Sequence, residues 1–254
     1  MKNRLHPLFI SFLASCYLLL ASCTTTHSVA KCEDRFISID STYKDDSLML
    51  TEIAPYKIKL DATMNEMLAI SEQVLLKDQP EGLLGNFTAD VVLSKAKEYC
   101  NDSCSVDLCV LNNGGLRNPL PKGNITRGNV FQLMPFENEM IFLTMNGGDV
   151  KDLFDFIANK GGMPVAGMTM KIKNNMADEV MIGGKPFDIT KSYTVVTSDY
   201  LAGGGDNMTF FEKASRKIIL GKKLRDAIIE YLQDENKKRN TIKVKKDGRI
   251  QFVQ

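Results

Sequence analysis

Val106-Asp-Leu-Cys-Val-Leu-Asn-Asn-Gly-Gly-Leu-Arg117 is the stretch on which the reading of this chain turns. A nearly continuous apolar run, Val106 and Leu108 to Leu111, stops abruptly at two asparagines and two glycines. A buried strand that hands its chain to a surface loop has this form, because both faces of the strand meet apolar neighbours while the loop needs turn-forming residues. Gly114 and Gly115 permit positive φ and the close approach of a ligand, and Asn112, Asn113 and Arg117 place amide and guanidinium groups around the bend. The same residues also fit a tight turn carrying a solvated Arg, and the rest of the chain has to decide.

On either side the pattern alternates between strands and helices. Upstream, Tyr56-Lys-Ile-Lys-Leu60 alternates like a strand edge, and Asp61 is placed to cap a helix through Met64, Met67, Leu68 and Ser71. Val91, Val92, Ala96 and Tyr99 give a second helix an apolar face ahead of the central strand. Downstream, Met140 to Met145 reads as another buried strand and Asn146-Gly-Gly-Asp149 as a turn. Val150, Leu153, Phe154 and Ile157 then form an i, i+3, i+4, i+7 helix stripe, stopped by Gly161 and Gly162. Residues 168–189 suggest a hairpin region turning at Gly183-Gly184, and Tyr193 to Thr197 a further strand. A last amphipathic helix is expected through Leu220, Leu224, Ala227, Ile228 and Tyr231, followed by a hairpin at Asp247-Gly248. With no strict βαβ period and no internal repeat, the pattern alone supports a mixed-sheet α/β or α+β fold.

The chain has 254 residues, 44% hydrophobic composition and a formal net charge of +1, which suits one main domain and shows no bias toward nucleic acid. Its N-terminus is different in kind: Lys2 and Arg4 precede an apolar run from Leu8 to Leu20, and Leu20-Ala21-Ser22-Cys23 follows. This resembles a bacterial lipoprotein signal. It implies cleavage of residues 1–22, lipidation of Cys23, a polar tether over 23–45 and a folded domain over 46–254, held at the bacterial cell envelope and facing the periplasm. An ordinary signal peptide and an uncleaved anchor are the alternatives. With Cys16 and Cys23 set aside, Cys32, Cys100, Cys104 and Cys109 remain in a compartment that permits disulfides. Cys109 fits a small buried residue, and Cys100 and Cys104 could pair across a helix end. Neither spacing is Cys-x-x-Cys, which argues against zinc.

Three loops share one design: residues 112–117, Pro135-Phe-Glu-Asn138 and Tyr200-Leu-Ala-Gly-Gly-Gly-Asp206. Each is read as ending a strand-like run with glycine, asparagine or proline and placing an aromatic or charged residue there. Two aromatics on neighbouring loops can sandwich a planar ring, and a base stacked on an aromatic side chain is worth about 1–3 kcal/mol. A carboxylate such as Asp206 can accept both hydrogen bonds of a vicinal diol.

Leu111-Asn-Asn-Gly-Gly-Leu-Arg117, Ile125-Thr126 with Asn129-Val130, Pro135-Phe136 with Asn138, Gly161-Gly162, Tyr193-Thr-Val and Tyr200-Leu-Ala-Gly-Gly-Gly-Asp206 resemble, in order and spacing, the C-terminal domain of 5′-nucleotidases of the UshA-like and ecto-nucleotidase group. The resemblance runs from about Tyr56 to the end. It implies that family's layered fold, with mixed β-sheets flanked by helices. It also implies a substrate site in which Phe136 and Tyr200 stack on the base and Asp206 binds ribose hydroxyls. Asn112, Asn138 and Gly161 fall at base-side positions, Gly114 and Gly115 shape the loop, and Arg117 reaches toward ribose or phosphate.

Three departures from the family pattern stand out. Asn113 replaces the first glycine of the usual triplet, and the second aromatic is Tyr200 rather than Phe. No Arg occurs between Arg35 and Arg117, where the family brings another; Lys77 could substitute in part.

In that family a separate dimetal phosphoesterase domain performs hydrolysis. The only histidines here are His6 and His27, so neither a dinuclear metal site nor a His-dependent nucleophile can be built from this folded region, and no catalytic or metal residue is assigned. The pairs Asp45-Asp46 and Asp152/Asp155 read as solvated surface. The expectation is a domain binding a nucleoside or nucleoside 5′-monophosphate without a cofactor of its own, as the substrate half of a split 5′-nucleotidase in nucleotide catabolism. Divalent metals would then belong to a separately encoded metallophosphoesterase. A non-catalytic, lipid-anchored nucleoside-binding protein is the alternative.

Overall fold

The computed structural model describes Phe12, Val29 and residues 31–100 and 105–253. The signal cleavage, the lipidation of Cys23 and the placement of Cys104 lie outside the described residues. Two compact units are distinguished, Met1–Leu50 and Thr51–Gln254. In the first, residues 31–46 carry no helix or strand.

Helix α1 is Ser47–Met64. It contains the Tyr56 to Leu60 segment, which the alternation pointed to as a strand. Five residues of alternation are too few to decide. Asp46 accepts from Leu48 N at 2.9 Å and Met49 N at 3.2 Å, and the Lys57–Asp61 ion pair closes an i,i+4 step at 2.6 Å. Asp61 therefore lies inside a helix rather than capping one, and Met67, Leu68 and Ser71 belong to strand β1, Met67–Ser71.

The centre of the second unit is a five-stranded sheet in the order β10-β4-β9-β2-β5, comprising Arg216–Lys223, Glu139–Asn146, Ser192–Ser198, Leu108–Val110 and Val165–Ala166. β2, β5 and most of β4 and β9 are buried, whereas the edge strand β10 has no fully buried residue; along the inner strands alternation sends side chains to two different cores. Met140, Phe142, Val196 and Cys109 join one cluster with helices α2 (Leu83–Cys100), α3 (Arg127–Leu133) and α6 (Leu224–Lys237) and the antiparallel pair of β1 with β3 (Gly123–Thr126). Ile141, Leu143, Val195, Leu108 and Val110 join the other, against helix α4 (Gly147–Asn159) and a second sheet formed, in spatial order, by Ile250–Phe252 (β11), Met168–Lys173 (β6), Met176–Ile182 (β7) and Lys185–Pro186 (β8). The result is a layered α/β fold with mixed sheets flanked by helices, as expected.

Local chemistry explains several element ends. The expected turn at residues 146–149 is the first turn of α4, because Asn146 Oδ1 accepts from Asp149 N at 3.0 Å as an N-cap. At the other end of α4, Gly161 and Gly162 take φ of +72° and +109°. The region 168–189 turns twice. It does so at Asn174 and Asn175 between β6 (Met168–Lys173) and β7 (Met176–Ile182), and at Gly183 and Gly184 before β8 (Lys185–Pro186).

Leu220 lies in β10, so the last helix starts only at Leu224. In place of the expected hairpin at Asp247-Gly248, β11 (Ile250–Phe252) pairs in parallel with β6, a long-range partner that local turn residues cannot reveal. Cys109 is a free, fully buried core residue, and Cys100 is disulfide-bonded, its other half lying outside the described residues. Asp152 is exposed, but Asp155 is half-buried and accepts from Ala177 N at 3.1 Å, which ties α4 to β7.

Strand directions place the loops. β2 and β9 run parallel, with Leu108 beside Val195 and Cys109 beside Val196, whereas β4 runs antiparallel to β9 with Met140 opposite Ser198. The chain therefore leaves β2, leaves β9 and enters β4 at the same end of the sheet. The three loops singled out in the sequence converge there.

Candidate functional site

Asn112, Gly114, Gly115, Arg117, Phe136, Asn138, Tyr200 and Asp206 line one cleft of about 330 Å³ at this end. Of the nine substrate-side residues expected from the sequence, only Gly161 stands apart. It sits beside the Gln79 side chain, which an added Cβ would approach to 3.8 Å, while Gln79 Nε2 donates to Lys160 O at 3.0 Å. That corner opens onto an adjoining groove of about 400 Å³, which includes Gln79 and Lys160 and shares Asn112, Gly114 and Asp206 with the cleft.

The first wall is the loop after β2. Leu111 N donates to Pro164 O at 2.9 Å, Gly115 N to Asn112 O at 3.2 Å, and Arg117 N to Leu133 O at 2.7 Å. Gly114 and Gly115 are absent from the positive-φ residues, so the left-handed backbone suggested by the sequence is not used there. What Gly115 supplies is space: a Cβ would lie 2.7 Å from Asn112 Oδ1. Arg117 is exposed, with only a weak 3.4 Å interaction with Gly114 O and no ion pair among the described residues. Its guanidinium can therefore receive an anion.

The second wall carries Phe136, which is 43% exposed although an isolated aromatic of this kind would ordinarily be core. Sequence reading missed what holds it. Arg225, buried on α6, reaches the carbonyls of Met134, Pro135 and Phe136 at 3.3–3.5 Å and pairs with Glu137, and its guanidinium lies 4.1 Å over the Phe131 ring. Lys223 also donates to Glu137. These hydrogen bonds, from Lys223 first and then Arg225, hold the Glu137 carboxyl down at about 2. The available signal was Arg225 itself, a charge three, four and seven residues before Ile228, Ile229 and Leu232 on the apolar stripe of its helix.

The third wall is the loop after β9. Ser198 caps the short helix α5, Asp199–Ala202, by accepting from Leu201 N at 3.1 Å. Gly204 follows at φ +82°, then Asp206 and Asn207 at φ 54° and 66°. Gly205 packs beneath Tyr200, where a Cβ would fall 2.6 Å from ring atoms Cε1 and Cζ. The Tyr200 hydroxyl donates to Asp206 Oδ1 at 2.8 Å and accepts from Asp206 N at 3.3 Å. Asn112 Nδ2 donates to Asp206 Oδ2 at 2.6 Å. The first and third loops are thus joined through one carboxylate.

The cleft presents two half-exposed aromatic rings, an oriented carboxylate, two amides and an unpaired guanidinium. This set can stack a planar ring, accept from hydroxyls and bind an anion. Lys77 lines neither cavity, and the cation of the adjoining groove is Lys160. Among the described residues no three His, Cys, Asp or Glu side chains converge as a metal site.

Fold and site define a layered α/β domain whose aromatic and amide-lined cleft is built by the loops at one end of the central sheet. The chain belongs to the family described as 5′-nucleotidase, C-terminal domain, whose model matches residues 62–213. It is 28% identical over 183 residues to a 5′-nucleotidase of Vibrio vulnificus, an alignment covering 67% of this chain and 31% of that protein. It is also 28% identical over 244 residues to the trifunctional nucleotide phosphoesterase protein YfkN of Bacillus subtilis, covering 85% of this chain and 16% of that protein. The backbone matches the crystal structure of a 5′-nucleotidase precursor from Thermus thermophilus with a TM-score of 0.68 at 23% identity, over 82% of this chain and 44% of that one, a likeness of fold. The chain thus spans less than half the length of these relatives.

Proposed function

We propose that this chain is the substrate-recognition part of a 5′-nucleotidase and binds a nucleoside or nucleoside 5′-monophosphate in the loop cleft. The observation that carries the reading is the convergence of Phe136, Tyr200, Asp206 and Arg117, from three loops distant in sequence, on one cavity. The base stacks between the aromatics, where each contact contributes about 1–3 kcal/mol. Asn138 and Asn112 offer amides to polar atoms of the nucleoside, Asp206 accepts from ribose hydroxyls, and Arg117 takes the 5′-phosphate.

Hydrolysis would fall to a dimetal phosphoesterase outside these 254 residues, whose only histidines are His6 and His27, and a separately encoded partner is the form proposed. By the lipobox-like Leu20-Ala21-Ser22-Cys23, the two would meet at a bacterial cell envelope, this chain held by a lipid on Cys23 and facing the periplasm.

A second reading, a nucleoside carrier with no part in hydrolysis, is favoured by one observation. Among the described residues Arg117 is the sole arginine lining the cleft, so phosphate recognition is thin beside base and ribose recognition.

The test is thermal unfolding of the purified protein with adenosine, AMP, guanosine or ribose 5-phosphate, and with Phe136→Ala and Tyr200→Ala. A ligand at about 100 times its Kd adds about 2.7 kcal/mol, a rise of roughly 5–10 °C for a domain of this size. A nucleoside response abolished by both substitutions supports the site, and no response to any ligand refutes it. AMP hydrolysis that appears only when a co-purifying phosphoesterase is added separates the split enzyme from the carrier.

A further inference from the structure

Asp206 is held in an unusual way for a carboxylate at a cleft mouth. It lies at φ 54°, and each of its oxygens already accepts one hydrogen bond from a different loop residue: Oδ1 from the Tyr200 hydroxyl at 2.8 Å and Oδ2 from Asn112 Nδ2 at 2.6 Å. The Tyr200 ring is in turn fixed by its seat over Gly205 and by the 3.3 Å hydrogen bond from Asp206 N to its hydroxyl. A carboxylate has about four lone-pair sites, so two bonds leave about one free site on each oxygen. The group is held from both sides by these two bonds, and it lines the cleft, so its remaining acceptor capacity on both oxygens is available to a ligand there. Adjacent acceptors on one rigid carboxylate match two neighbouring hydroxyl donors. A lone hydroxyl leaves one acceptor without a donor from the ligand.

We propose that the Tyr200 hydroxyl and the Asn112 amide are positioning groups for Asp206, and that through them the cleft selects ligands bearing a vicinal cis-diol, ribonucleosides over 2′-deoxyribonucleosides. The proposal rests on the reading of the cleft as a nucleoside site. It gives the tyrosine at position 200 a role that a phenylalanine could not fill, since stacking needs only the ring.

The experiment is equilibrium binding of adenosine and 2′-deoxyadenosine by calorimetry to the purified protein and to its Tyr200→Phe and Asn112→Ala variants. The unsubstituted protein prefers adenosine by about tenfold or more, the scale of one hydrogen bond to a charged group. In Tyr200→Phe the preference falls below about threefold, because the carboxylate is free to turn and no longer offers two aligned acceptors. Asn112→Ala lowers it in the same direction by removing the other clamp. A general loss of stability weakens both ligands alike and leaves their ratio intact, so an unchanged ratio in both variants overturns the proposal. Equal affinities for the two nucleosides in the unsubstituted protein overturn it while leaving the nucleoside site standing, whereas absence of binding by either ligand overturns both.

Discussion

Replacing Arg225 by Met should loosen the loop that carries Phe136 without touching the cleft itself. Arg225 Nη1 is shared among three carbonyls at 3.4, 3.3 and 3.5 Å, long enough that together they count as about one hydrogen bond to a charged group, or about 1.5–3 kcal/mol. The stacking over Phe131 at 4.1 Å adds about 0.5–2 kcal/mol. The pair with Glu137 adds little, since that carboxylate is 61% exposed and regains water when its partner is removed. Against this stand the desolvation of a buried guanidinium and Arg225 Nε, which is buried without a hydrogen-bond partner among the described residues, so Met recovers part of the loss. The net is about 2 kcal/mol of stability, or roughly 4–8 °C in Tm for a domain of this size.

The effect on ligands should be selective. Adenosine affinity falls by about tenfold or more as one stacking contact is lost, while ribose 5-phosphate, which has no base to stack, changes little. Arg225→Lys lies between, because an ammonium cannot reach Glu137 and three carbonyls together. Thermal unfolding and calorimetric titration below the transition measure both quantities. An Arg225→Met protein that melts within about 1 °C of the parent, on the order of experimental error, and binds adenosine equally would refute the reasoning.

Other expectations concern the same framework. Glu137, lowered from 4.5 to about 2 by Lys223 first and then Arg225, contributes a small, solvent-screened stability that is present above about pH 4.5 and lost as pH falls toward 2. Urea titrations of the parent and Glu137→Gln should therefore differ near pH 6 and converge near pH 2, and a constant gap would exclude the ion pair as the cause. Gly205→Ala forces the Tyr200 ring from its seat, since the new Cβ lies 2.6 Å from ring carbons. Nucleoside binding should drop severalfold with a stability loss of about 1–2 kcal/mol, and retained binding would show that the ring position is immaterial. Gly162→Ala combines φ +109° with a Cβ 2.1 Å from Pro80 O, so a loss of about 3 kcal/mol or more is expected by chemical denaturation.

What could be read without coordinates was whatever depends on near neighbours. The stripe of Val150, Leu153, Phe154 and Ile157, the strand from Met140 to Met145 and the glycine stop after α4 are all local periodicity or local backbone chemistry, and all appear in the structure. The three loops were legible too, because asparagine, glycine and aromatic residues at strand ends mark sites of turning and exposure wherever the strands go. Where the local signal was short or two-valued, tertiary structure overruled it. Tyr56 to Leu60 became helix because Asp46 and the Lys57–Asp61 pair support one, and Leu220 lies in a strand because residues on either side of it, Ile219 and Lys223, pair antiparallel with β4.

The site depended still more on long-range placement. That β2 and β9 run parallel beside an antiparallel β4 is a fact about pairing between strands far apart in sequence, and it alone brings Arg117, Phe136 and Asp206 to one end of one sheet. The same geometry leaves Gly161 beside Gln79, outside the cleft. Arg225 is 88 residues from Glu137, and Asn112 is 94 residues from Asp206. Residue type and spacing determined which side chains were available for chemistry, because periodicity and turn preference are properties of adjacent residues. Which of them share a carboxylate or a carbonyl was decided only when strand pairing and helix packing closed those separations to hydrogen-bond distance.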